Sequence, residues 1–349
     1  MAEDAVQSGF AIGNRGPESL LNEAVEMALG RMARPISGAL IAFSPSHLPL
    51  PHAALQQLAG RLRCLQIRAA SFPGVISDQG STVGQAACAV LLFSPPLGLA
   101  GRGANTLLWA GPQQLVDGEL SAEARADCGL ISNKHAWFWQ YREQQAMLRS
   151  TFLGPLRHRQ FVSSGISPLT PLFPYVRQEG ALLLQLERYS ALPLLARNIP
   201  FALREAPRLP LDRLLLGERD KDSHTRYLHI VATDANRSGL WLERPLRANT
   251  QAFIAWRNPE TALRDTRTVL ERARNEWGTP CFAWISCSGA RAPEFFPQAE
   301  NDLTLWREHF PHCPILGSFA QAEVSVGATG SELTRFSAVF DLFYREDGE

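Results

Sequence analysis

Between Cys281 and Glu323 the chain alternates apolar runs with polar breaks in an order that few folds accommodate. Residues 281–285 (CFAWI) are a short continuous apolar run, the signature of a strand buried on both faces. It runs straight into Ser286-Cys287-Ser288-Gly289. A helical stripe follows, with Ala299, Leu303, Trp306 and Phe310 on one face. A second apolar run, 314–317, leads into a loop that carries Glu323. Strand, helix and strand in this order call for an α/β fold. Such folds build ligand sites outside the ends of parallel strands. The polar ends at 286–289 and 318–323 therefore form the candidate site.

The same order occurs once more, at 38–93. Residues 37–43 (SGALIAF) end in Ser44-Pro45-Ser46, a helix with Ala54, Leu55, Leu58 and Leu62 on one face follows, and strands at 65–70 and 86–93 close the unit. Phe43-Ser44-Pro45-Ser46 aligns with Ile285-Ser286-Cys287-Ser288, and Ala89–Phe93 with the run from Ala338 to Phe343. Identity is slight, so chance likeness of two such units stays open. The expected architecture is α/β, two related lobes with mixed sheets flanked by helices and a site between them. The expected boundaries are a helical lead-in over 1–34, one domain over 35–197 and a second over 198–349.

Elsewhere the punctuation is clear in places. Apolar residues at 20, 21, 24, 25 and 28 predict a helix starting near Pro17. Trp137, Phe138, Trp139 and Tyr141 form an aromatic cluster read as a helix or its entry, serving core packing. Val176 to Arg188 reads as a hairpin around Glu179-Gly180. Residues 227–233, 240–242 and 252–256 read as strands. Asn258-Pro259 supplies an N-cap followed by proline at the first helical position, opening a helix that Gly278-Thr279-Pro280 closes.

With 349 residues, a hydrophobic fraction of 45% and zero formal net charge, the chain supports real cores. Neutral charge gives no reason to expect nucleic acid or an acidic membrane as partner. Lys134 and Lys221 are the only lysines among 34 basic residues, a skew read as compositional. There is no signal-like N-terminus and no apolar run long enough to span a bilayer. The six cysteines show no framework spacing, and a reducing cytoplasm is the expected location.

No nucleophile elbow, phosphate loop or zinc-protease pattern is present. Gly98 to Gly103 lacks dinucleotide spacing and reads as a loop. His309, His312 and Cys313 carry metal-capable atoms, but Pro311 breaks the helix they would share. Cys287 is either an inert half-buried thiol or a thiolate stabilised by backbone amides at the strand end. Glu323 suits a ligand amino group or a capping role. No histidine lies locally to act as base for Cys287, so catalysis is not expected.

The same residues resemble the FIST family of sensory proteins, which carry an N-terminal and a C-terminal FIST domain. The resemblance spans roughly 35 to 345. It rests on Phe282 to Gly289 with Arg291, on Pro314 to Gly317, on Glu323-Val324 and on Phe336 to Val339. Val176 to Leu195, with Ala191-Leu192-Pro193, is similar to the family's middle region. Two departures stand out: the family's Cys-x-Gly-Arg appears as Cys287-Ser288-Gly289-Ala290-Arg291, and its glycine before the glutamate is Ala322. The resemblance implies an intracellular module that binds a small molecule, an amino acid or related metabolite, without catalysis. It would signal to a separate partner such as a histidine kinase. Ser286, Cys287, Gly289, Arg291, Gly317 and Glu323 would line the ligand site. The alternatives are a haem-based nitric-oxide sensor with a histidine as axial ligand, and a thiol enzyme using Cys287.

Overall fold

The structure, a computed structural model, describes residues 5–32, 35–101, 103–116, 119–174, 176–204, 209–221, 224–297, 299–327 and 330–346. Among them the chain is mixed α/β, with mixed sheets flanked by helices and no barrel, as the order of apolar runs requires. It parts into two compact units, Met1–Ser164 with Leu263–Glu349, and Gly165–Ala262. No helix among the described residues is long and apolar enough to cross a membrane.

In the first unit the unbroken apolar runs become strands buried at every position: Gly38–Ser44, Ala87–Phe93 and Phe282–Ser288. Gly38–Ser44 lies between Ala87–Phe93, antiparallel, and Ile67–Ser71, parallel. Phe282–Ser288 likewise lies between Ala338–Arg345, antiparallel, and Ile315–Ala320, parallel. Helix His52–Leu62 makes the crossover in one half and helix Asp302–His309 in the other. The expected repeat of architecture is thus present, inside one compact unit.

Its register differs from the sequence alignment by one pleat repeat. Ala39 sits opposite Ile67 as Ala283 sits opposite Ile315, which equates Phe43 with Cys287 and Ser44 with Ser288. The hydrophobic pattern of a strand has period two, so a slip of two residues leaves every face unchanged and invisible in sequence.

The expected boundary at 197/198 does not separate the units. Strand Gly74–Ser77 pairs with Ile315–Ala320, and Cys128–Ile131 pairs with Ala322–Gly327. Buried backbone groups must keep their ladder partners, so shared sheets outweigh the proline-rich connector that suggested the cut. The lead-in is more than a helix: Val6–Ile12 forms a strand antiparallel to Ala87–Phe93 before helix Pro17–Leu29 begins. Gly9 is needed there, because a Cβ would lie 1.9 Å from the carbonyl oxygen of Ala24 in that helix. Residues 1–4 and 33–34 of the lead-in fall outside the described residues. The aromatic cluster is strand and turn rather than helix, with Phe138–Gln140 paired to Ile67–Ser71. Tyr141 and Arg142 have positive φ there, which ends the strand.

Alternation along Phe282–Ser288 feeds two cores. Phe282 and Trp284 join an aromatic core, where Phe282 stacks on Phe343 at 4.6 Å and Trp284 packs on Trp109 at 5.2 Å. Ala283, Ile285 and Cys287 face the other way, against Trp306, Phe310 and Phe340.

The second unit is built on an antiparallel sheet that includes Leu214–Arg219, Thr225–Asp234 and Gln251–Arg257. The hairpin read around Glu179-Gly180 is present as Val176–Glu179 paired with Leu182–Leu186. Its leucines, Leu183 and Leu186, pack with Leu195 of helix Ala191–Asn198. Helix Pro259–Trp277 begins in this unit, where the Asn258 side chain accepts from the amides of Glu260 (3.0 Å) and Thr261 (3.4 Å).

Candidate functional site

The strand that opens at Phe282 continues through Ser288, so Ser286 and Cys287 are strand residues rather than part of a turn. Only after Ser288 does the chain tighten into a short 3-10 turn, Gly289–Arg291, where the Ser288 hydroxyl accepts from the amide of Ala290. That turn carries Arg291 inward until it is 2% exposed. A buried guanidinium needs partners for five N–H groups. Arg291 has them: Nε and Nη2 grip Asp302 Oδ2 and Oδ1 at 3.1 and 2.6 Å, Nη2 also reaches Thr266 Oγ1 at 3.0 Å, and Nη1 donates to Ser163 O at 2.8 Å and Ser163 Oγ at 3.2 Å.

Asp302 is placed by its helix. Asn301 caps helix Asp302–His309, its side chain accepting from Leu303 and Thr304 while Thr304 reciprocates, which fixes Asp302 as the first helical residue. Its Oδ1 also accepts from Thr266 Oγ1 at 2.7 Å, and Cys287 Sγ lies 3.7 Å from its Oδ2. Burial is the largest single influence on Arg291 and opposes its charge, but the groups facing it, Asp302 foremost, together outweigh burial and the guanidinium pKa lies above its ordinary value. Cys287 goes the other way: burial, then the Asp302 charge, push its thiol well above the ordinary range. It is a neutral thiol donating weakly to a carboxylate.

Cys287, Arg291 and Asp302 share a cavity with Ile76, Ile285 and Phe319. Its free volume is about 20 Å³, enough for one water. In this conformation it holds no metabolite.

The other expected residues do not gather there. Ser286 points into the opposite core, accepting from Trp284 Nε1 at 2.7 Å and donating to Gly129 O at 2.8 Å. It bridges two sheets. Gly317 is a packing position, since a Cβ would lie 2.4 Å from the carbonyl oxygen of Ile285. Gly289 lies at the turn but does not line the cavity. Glu323 is in strand Ala322–Gly327, not a loop, opposite Leu130 on one side and Thr334 on the other. The strand geometry also accounts for Ala322, whose φ is not positive, so no glycine is required.

Glu323 nonetheless stands out. It is fully buried, its Oε2 accepts from Ser337 Oγ at 2.7 Å, and its Oε1 has no hydrogen-bond partner among the described residues. Burial raises its carboxyl to about 8, against the lowering effect of the Ser337 bonds and of Arg291. Phe336, which precedes Ser337 in the chain, is a buried aromatic at φ +65°. Such a conformation costs about 1–3 kcal/mol and persists where the surroundings impose it. Here it delivers the Ser337 hydroxyl to the carboxyl group.

Sequence reading missed Asp302, Thr266 and Ser163. One signal was visible: Thr266 is a hydroxyl residue on the apolar stripe of its helix, a position that needs a buried partner. No such signal marks Asp302, because an acidic residue at a helix start is commonplace.

Two cavities bear on the haem alternative, and neither suits it. No histidine lines the Cys287 cavity. A larger open cleft of about 560 Å³ is lined by His158 but also by Arg125, Asp127 and Arg149, and Nε2 of His158 is 2.9 Å from Asp341 Oδ1. A porphyrin needs apolar walls, which a cleft lined by two arginines and an aspartate does not offer.

No protein-family model matches the chain, and no curated protein matches it.

Proposed function

We propose that the protein is a non-catalytic binding module of the sensory kind that the FIST resemblance implies. Its ligand is a small carboxylate, such as an amino acid or related metabolite, and its site is the Arg291–Asp302 cluster. The observation that carries this reading is the two-point grip of Arg291 on Asp302 at the wall of a nearly filled cavity. Asp302 holds the guanidinium as a ligand carboxylate would. An incoming carboxylate exchanges with it, and the helix start at Asn301–Asp302 shifts. That shift would be read by a separate partner such as a histidine kinase. The raised thiol of Cys287 and the absence of a histidine in the cavity lining favour binding over thiol chemistry.

The test is thermal stabilisation of the full chain by a panel of amino acids and small dicarboxylates. A ligand at a hundredfold excess over its Kd stabilises by about 2.7 kcal/mol. Arg291→Gln is expected to abolish the response, and Ser286→Ala to preserve it. An equal response in folded Arg291→Gln rejects the site.

A further inference from the structure

Three residues unused by the site above converge from three strands. Leu156–Ser163 and Ala338–Arg345 pair antiparallel with His158 opposite Phe343 and Gln160 opposite Asp341. These four side chains therefore share one face. Cys128, from strand Cys128–Ile131 of another sheet, is buried in the same core as Phe343. One ligating atom each of Cys128, His158 and Asp341 lies within 4.8 Å of the other two.

The polar bookkeeping of this cluster is incomplete. Asp341 Oδ1 takes both His158 Nε2 at 2.9 Å and Gln160 Nε2 at 2.7 Å, while Oδ2 is buried with no partner among the described residues. Asp341 is 0% exposed. Cys128 Sγ makes a long contact to Thr106 O at 3.6 Å. A buried carboxylate oxygen without a donor carries the full desolvation cost of that atom. A cation bound between carboxylate, imidazole and thiol removes it.

We propose that Cys128, His158 and Asp341 bind one Zn²⁺ ion. The donor set of sulfur, nitrogen and oxygen selects zinc over calcium or magnesium. Zinc bonds of about 2.0–2.3 Å place tetrahedral ligands roughly 3.3–3.8 Å apart, so the cluster rearranges by about an ångström or less. Strand backbones hold all three ligands, which limits the movement required. Gln160 orients the carboxylate, and Phe343 stacks on the His158 ring at 4.9 Å and 21°, fixing its plane. Binding displaces the thiol proton of Cys128 to solvent. Three protein ligands leave one position for water or an anion. His158 also lines the open cleft of about 560 Å³, together with Arg125 and Arg149. A hydrated ion enters by that route, and an anion completing the zinc sphere meets two arginines.

The experiment uses the full chain stripped of metal under reducing conditions and titrated with Co²⁺, then with Zn²⁺. One equivalent of Co²⁺ is expected to bind with thiolate-to-cobalt charge-transfer absorption, and Zn²⁺ to displace it. Cys128→Ser should lose that absorption, and His158→Ala and Asp341→Asn should weaken zinc at least tenfold. Gln160→Ala keeps all three ligands and should weaken zinc by 10–100-fold. Wild-type protein that takes up less than one equivalent overturns the proposal whatever the variants do. So does charge-transfer absorption that survives in Cys128→Ser, since the cobalt then sits on another cysteine. Should Cys128→Ser fail to fold, unchanged zinc affinity in His158→Ala and Gln160→Ala overturns it equally.

Discussion

Ser286 and Cys287 are adjacent in the chain and serve opposite cores. Ser286 Oγ joins Trp284 Nε1 to the carbonyl of Gly129, whereas Cys287 Sγ lies against Asp302. Ser286→Ala strips a buried indole N–H and a buried carbonyl of this partner. The expected cost is about 1–3 kcal/mol, seen as a lowered urea midpoint with ligand-induced stabilisation unchanged. A variant of undiminished stability that no longer responds to ligand would return Ser286 to the site.

Arg291 and Asp302 test how the buried network is held together. Asp302→Ala leaves a guanidinium uncompensated at 2% exposure, and breaking such a pair from one side costs about 3–5 kcal/mol. Replacing both partners, as in Arg291→Met with Asp302→Leu, removes the stranded charge and should recover much of that loss. The check is a double-mutant cycle by urea denaturation. Single-variant effects that simply add, within about 0.5 kcal/mol, would show that the two side chains do not act as a pair.

The sequence carries the fold well where periodicity decides and the site poorly where one residue of phase matters. The buried strands at 38–44, 87–93 and 282–288 and the helices starting at Pro17 and Pro259 follow from apolar runs, stripes and caps. The path 286–289 was legible as small and polar, but the strand end was misplaced by three residues. That error put Ser286 on the same side as Cys287. A residue-long difference in where a strand stops reverses which core a side chain enters. Ser163 comes to Arg291 from a remote segment, and a contact of that range leaves no local pattern. Asp302 is close in sequence but reached across an irregular loop, so no helical or strand period ties it to Arg291. The compact units were equally hidden, since pairing of strands far apart in sequence, such as Gly74–Ser77 with Ile315–Ala320, is a tertiary fact.

The cysteines offer a direct test of accessibility. Cys287 is buried and its thiol is pushed well up by burial, as are those of Cys88, Cys128 and Cys313. Cys281 is partly exposed. Alkylation of native protein at mildly alkaline pH, followed by peptide mass spectrometry, should label Cys281 first and Cys287 only at the rate of unfolding. Cys287 labelled as fast as Cys281 would mean that its thiol opens to solvent in the folded state and would revive the thiol-enzyme reading.

Glu323 sets a pH dependence whose sign follows from its burial. Its carboxyl keeps its proton in the folded chain up to about pH 8, against an ordinary value of 4.5. Between these values the native state binds a proton that the unfolded chain has released. Stability from this group is therefore complete below about pH 4.5 and is lost as pH rises toward 8, by about 1.4 kcal/mol per pH unit at most. Glu323→Gln keeps the acceptor for Ser337 and removes the titration. Urea midpoints measured from pH 5 to pH 9 should nearly coincide for the two proteins at the acid end. They should diverge above it, with the variant more stable by a few kcal/mol near pH 8. Parallel profiles across the whole range would mean that Glu323 is ionised in the folded protein, its charge met by Arg291 and the unpartnered Oε1 reached by solvent.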